Sequence, residues 1–151
     1  MMKKLSLVFA GALFVMAIAG VATAIAAEFG TAAEAKAMLE KAVTALKADK
    51  AKALEMFIKG EGGFKDRDLY PFCGGPDGNF TAHPKLVGKS LKDLKDKAGK
   101  ALGAEMYKTA QAGKISEVGY MWPRPGSEEP VQKLSFVTKA GDQVCAVGYY
   151  K

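Results

Sequence analysis

The chain has 151 residues, with 22 lysines and arginines against 16 acidic residues for a formal charge of +6. Its cations form no block and no stripe interleaved with aromatics, which argues against a nucleic-acid-binding role. A mildly basic balance is compatible with small anionic ligands or a membrane surface.

Residues 1–26 have the pattern of a secretory signal peptide. Lys3 and Lys4 make a positive start, residues 5–25 are apolar without charge, and Ala24-Ile25-Ala26 fits the small-x-small cleavage rule. The alternative is an uncleaved membrane anchor, since an apolar run of about twenty residues is also long enough to span. Either way the remainder is expected outside the inner membrane. Without residues 1–26 the charge falls by two lysines to +4, and 125 residues remain, enough for one compact domain but not two.

Residues 31–48 are rich in alanine, and Thr31 followed by Glu34 gives a capping-box start. Ala35, Met38, Leu39, Ala42, Val43 and Leu46 recur at helical spacing as one apolar stripe. Asp49 opens a second short helix through Phe57, which Gly60, Gly62 and Gly63 end. The period then becomes alternating. Residues 68–73 and 78–83 are expected as two short strands joined by Gly74-Gly75-Pro76-Asp77-Gly78, whose residue types suit a tight turn, and Pro84 stops the second. Ser90 or Asp93 can cap short turns, and residues 98–112 return to helix before Gly113. Three strands follow at 114–122, 131–138 and 143–150. A proline-rich loop connects the first two, and Lys139-Ala140-Gly141-Asp142 makes a hairpin between the last two. The fold class is α+β: a five-stranded antiparallel sheet with the N-terminal helices packed on one face.

Cys73 and Cys145 are the only cysteines. An even count in an exported chain suggests a disulfide, with buried free thiols as the alternative. No Cys-x-x-Cys or haem-attachment pattern is present, and the sequence implies no cofactor or metal. Nor does it carry a nucleophile elbow, phosphate loop or paired-carboxylate motif. The protein is therefore not expected to be an enzyme, although His83, Tyr70 and Asp77 could in principle cluster for acid-base work.

Several segments together resemble the single Cache domain of the second type, a PAS-like extracytoplasmic sensor module of bacterial chemoreceptors and sensor kinases. They are residues 64–72 (FKDRDLYPF), 77–88 (DGNFTAHPKLVG), 94–99 (LKDKAG), 119–125 (GYMWPRP), 133–137 (KLSFV) and 147–150 (VGYY). The resemblance implies a small-molecule pocket between the sheet and the loops above it, often for a carboxylate. Position by position it implies Tyr70, Phe72, His83, Tyr120, Trp122, Arg124 and Lys133 as ligand-binding residues. Because Lys151 follows the last expected strand directly, the reading is of a stand-alone exported form acting with a separate receptor or transporter. A homodimer through the first helix is a further expectation. The competing reading is an envelope interaction protein with a vestigial pocket.

The residues themselves leave alternatives open. Tyr70 and Phe72, like Tyr120 and Trp122, share a strand face and could line a pocket or form core under the first helix. Arg124 offers a carboxylate-matching fork or sits solvated in its loop. Lys133 either reaches solvent at the sheet border or meets a ligand. His83 either fixes a strand end or contacts the ligand.

Overall fold

A computed structural model describes residues 27–151, so the expected signal segment, residues 1–26, lies outside the described residues. Helix α1 (Ala32–Ala48) starts at the capping box: the Thr31 hydroxyl accepts the Glu34 N–H, and the Glu34 carboxylate accepts the Thr31 N–H. Helix α2 (Lys50–Lys59) follows at once because the Asp49 carboxylate accepts the Lys52 N–H and caps it. Gly60, with φ of 71°, closes it in the left-handed conformation that a glycine adopts without cost.

Strands β1 (Pro71–Gly74) and β2 (Phe80–Ala82) form the hairpin, and helix α3 (Leu102–Thr109) leads into the meander of β3 (Ser116–Pro123), β4 (Pro130–Ala140) and β5 (Gln143–Tyr150). The five strands make one antiparallel sheet in the order β2-β1-β5-β4-β3. The last strand thus lies between the hairpin and the meander. Among the described residues no helix is long and apolar enough to cross a membrane.

Several expected boundaries shift by a few residues, and local hydrogen bonds explain two of them. Residues 68–70 do not extend β1, because Leu69 and Asp66 exchange backbone hydrogen bonds in a tight turn of their own. Residues 98–101 do not extend α3. Gly99 turns with φ of 86° there, and the Asp96 carboxylate accepts the N–H groups of Ala98 and Lys100. Ser90 does cap a turn, its hydroxyl accepting the Asp93 N–H at 3.1 Å.

The pleat divides the protein into two cores. On one face, Cys73, Cys145, Val147 and Ala82 pack under the stripe of α1 and under Ala53 and Phe57 of α2. On the other, Phe72, Phe80, Val118, Tyr120, Val137, Val144 and Ala146 meet Leu91 and, from α3, Leu102 and Met106. Both expected aromatic pairs lie on this second face, away from α1, so they are not core beneath the first helix. Neither do they sit on neighbouring strands: β5 and β4 lie between β1 and β3.

Cys73 and Cys145 are directly opposite in the pairing of β1 with β5 and form a disulfide that closes a 72-residue separation. The bond ties the edge hairpin to the last strand, and both residues are fully buried. Replacing both cysteines with alanine should cost about 2–5 kcal/mol of unfolding free energy. Urea denaturation under oxidising conditions would measure it, and a loss below about 1 kcal/mol would show that the hairpin is held by packing alone.

Candidate functional site

Six of the seven residues expected at the site surround one small cavity on the α3 side of the sheet. Tyr70, Phe72, His83, Tyr120, Trp122 and Lys133 line it together with Phe80, Leu94 and Leu102, around a space of about 20 Å³. The remaining wall residues are apolar, so the polar atoms that face the space are few and fixed.

Lys133 is the unusual member. It stands on β4 among apolar neighbours and is 1% exposed. Its ammonium makes one long hydrogen bond, 3.3 Å to the Tyr70 hydroxyl, and lies 4.7 Å from the centres of the Tyr70 and Tyr150 rings. An ammonium has three donors, and the two aromatic faces offer it electrostatic attraction without neutralising it. No carboxylate forms an ion pair with it among the described residues; the nearest influence is Asp68, whose charge acts at longer range. Burial therefore lowers the Lys133 pKa to about 7, with Asp68 opposing the fall.

His83 completes the polar set. Its Nδ1 accepts the Lys85 backbone N–H at 2.9 Å, which leaves the proton of the neutral ring on Nε2 as a donor. Burial, then the positive charges of Lys133 and Lys85, pushes its pKa down to about 4, so the ring is neutral across the physiological range. Phe80 and Tyr70 stand edge-on to it at 5.1 and 5.5 Å. Tyr70 is pushed up to about 12, chiefly by burial, and stays a hydroxyl donor. The Tyr120 hydroxyl is engaged by a 2.8 Å hydrogen bond with Ser135. The arrangement is an apolar and aromatic chamber with one cation and two neutral donors, a chemistry suited to a small anion.

Arg124 is not part of this group. Its guanidinium donates to Asp68 at 2.9 Å and stacks over Phe29 and Tyr150, with centroid distances of 4.0 and 4.6 Å. It lines a second, outer cleft of about 530 Å³, together with Lys65, Lys85 and the proline-rich loop. Tyr70, His83 and Trp122 border both spaces.

The pattern that defines the Cache domain matches residues 18–149. The chain belongs to the Cache family. A crystal structure of a methyl-accepting chemotaxis protein from Vibrio parahaemolyticus is 29% identical with a TM-score of 0.64, covering 78% of this chain and 86% of that one. A periplasmic sensor domain of a chemotaxis protein is 28% identical with a TM-score of 0.59, over 76% of this chain and 86% of that one. The methyl-accepting chemotaxis protein McpP of Pseudomonas putida is 39% identical over 56 residues, which are 37% of this chain and 10% of that protein. The chain therefore spans a small part of that curated relative. These relatives are sensor domains or receptors of chemotaxis, not enzymes.

Three residues important to this Cache domain's cavity escape the sequence reading. Asp68 is 5% exposed and accepts from the Gly30 N–H at 2.7 Å as well as from Arg124. Tyr150 packs its ring against both Lys133 and Arg124 while its hydroxyl donates to the Pro123 carbonyl at 2.7 Å. Gly148 lies opposite Ser135, and a Cβ there would stand 2.3 Å from Lys133 Cε and 2.5 Å from Ser135 Oγ. The lysine stem crosses β5 over this glycine, which is how a β4 side chain meets Tyr70 beyond the intervening strand. The alternation of Ala146 and Gly148 on one face of β5, beside a lysine in an apolar strand, is the signal that could have located the crossing.

Gly148→Ala should therefore cost about 1–3 kcal/mol through overpacking. Combined with Lys133→Ala, the same change should cost measurably less, because the contact with the lysine stem is gone while Ser135 Oγ still crowds the methyl. A double-mutant cycle in urea measures this, and equal costs in both backgrounds would disprove the crossing.

Proposed function

We propose that this Cache domain is an exported sensor module whose inner cavity binds a small organic anion, a carboxylate in the first instance, and that it acts with a separate signalling or transport partner. The observation that carries the reading is the buried Lys133 ammonium, which has aromatic faces and a single long hydrogen bond around it but no carboxylate against it. An unpaired buried charge is costly, and a bound anion supplies the missing counterion. The Nε2–H of His83 and the Tyr70 hydroxyl supply directed hydrogen bonds beside it, and Phe72, Phe80, Leu94, Leu102 and Trp122 shield the pair from water.

The likeness to chemotaxis sensor domains supports a sensing role. A further solved structure, at a TM-score of 0.55 and 23% identity over 76% of this chain and 84% of that one, is titled for carboxylic acid recognition by a Cache chemosensory domain. The cavity's size favours the shortest acids. About 20 Å³ is little more than the room one water requires, so a ligand of a few heavy atoms can enter only with a small outward shift of Trp122 or Tyr70. A periplasmic or secreted location accords with the disulfide, which persists in oxidising compartments.

A thermal-shift screen of acetate, propionate and other small carboxylates, against amino acids, amines and purines, tests the reading. A ligand that binds only the folded state stabilises it by mass action, about 2.7 kcal/mol at a hundredfold excess over Kd. Short carboxylates should raise the melting temperature and amines should not. Lys133→Met should abolish that shift while stabilising the ligand-free protein by about 1–4 kcal/mol, because an apolar side chain of similar length carries no charge to desolvate. If no carboxylate raises the midpoint, or if Lys133→Met retains the shift, the carboxylate reading fails.

A further inference from the structure

The geometry around Lys133 points to a second property of the same site: we infer that the cavity takes its ligand as an anion together with a proton, so that what it recognises is the weak acid as a whole. The inference rests on the carboxylate reading above and adds the proton to it.

Uncharged groups face the amine from each surrounding element. The Tyr70 hydroxyl and ring approach from the segment before β1, Tyr150 from β5, Tyr120 from β3 and His83 from the segment after β2. All are neutral near neutral pH: burial raises the three tyrosines, and it lowers His83. The charged groups behind them are Asp68 and Arg124, which are bound to one another at 2.9 Å. Asp68 has its other oxygen on the Gly30 N–H. The one acid close enough to influence the lysine is thus occupied by a guanidinium and a backbone donor.

An amine in this position has two states of similar free energy. Protonated, it carries a charge that the aromatic faces attract but do not neutralise. Deprotonated, it fits the apolar chamber without desolvation cost. With a pKa of about 7, the ligand-free protein holds the ammonium below neutral pH and the neutral amine above it. A carboxylate entering the chamber changes the balance, because an adjacent anion favours the charged form. The amine lone pair takes one proton from solvent, or from the undissociated acid itself. The product is an ammonium and carboxylate ion pair, and no other bond is formed or broken.

The sign of the pH dependence follows from linkage. Below about pH 7 the amine is already protonated, so binding takes up almost no proton and affinity is flat. Above it, each pH unit requires binding to supply more of the missing proton, and affinity falls tenfold per unit until the bound-state pKa is reached. His83 does not share this window, because its pKa of about 4 lies well below it.

Isothermal titration of the protein with sodium acetate and sodium propionate, each in two buffers of different ionisation enthalpy, counts the protons. Uptake per bound anion should be below about 0.2 at pH 6 and above about 0.8 at pH 8.5, with Kd about 30-fold weaker at the higher pH for a site pKa of about 7. In parallel, the Lys133 Cε resonance should move on adding acetate at pH 8.5 while the His83 ring resonances keep a neutral signature. Anion binding with no proton uptake at pH 8.5, or an uptake that appears on the His83 ring, overturns the inference and leaves the carboxylate reading standing. The absence of any heat or thermal shift with either anion overturns the carboxylate reading and the inference with it.

Discussion

An ammonium enclosed by aromatic rings, with no acid set against it, is the constraint on which the α3 side of this domain depends. Burying a lone cation in a medium of low polarity costs several kcal/mol, so a protein of 151 residues with marginal stability does not retain one by accident of packing. The surrounding architecture is arranged to tolerate it. Tyr70 and Tyr150 present their faces at equal distances. Gly148 yields the space through which the lysine stem passes, and Ser135, which would otherwise be another candidate partner, is engaged by the Tyr120 hydroxyl.

The two faces of the sheet divide the labour. The α1 and α2 face is filled by alanine, leucine, methionine and phenylalanine around the Cys73–Cys145 disulfide, and it supplies stability without polar groups of consequence. The opposite face carries the cavity, and small residues along β5 make room there for the lysine stem. The disulfide sits one residue from Phe72 and one from Ala146, both on the cavity face, and so ties β5, which the lysine crosses, to β1 beyond it.

Most of the fold was legible in the sequence because local rules act strongly there. Thr31 with Glu34, Asp49, Gly60 and the turn at Gly141 each marked a boundary that backbone chemistry enforces. The strand expected at residues 143–150 matches β5 to its ends. What was not legible depended on strand order, which no local pattern encodes. That each aromatic pair shares a strand face was legible, but not that two strands separate Tyr70 and Phe72 from Tyr120 and Trp122, with Lys133 reaching across Gly148 between them. A glycine within a strand has no side chain to announce what lies above it. Asp68 was passed over for a related reason: its partners, Gly30 and Arg124, are 38 and 56 residues away.

Arg124 illustrates how a residue can matter to an anion site without touching it. A guanidinium flanked by prolines suggested a fork for the ligand, but the fork is spent on Asp68, and the stack on Phe29 and Tyr150 holds it there. By binding Asp68 first, Arg124 leaves the lysine attracted from a distance but unneutralised. Asp68 opposes the fall that burial imposes on the Lys133 pKa, while its own hydrogen bonds go to Gly30 and Arg124. On the proposed reading, the readiness of the site for an anion is set outside the cavity, by the Asp68–Arg124 ion pair.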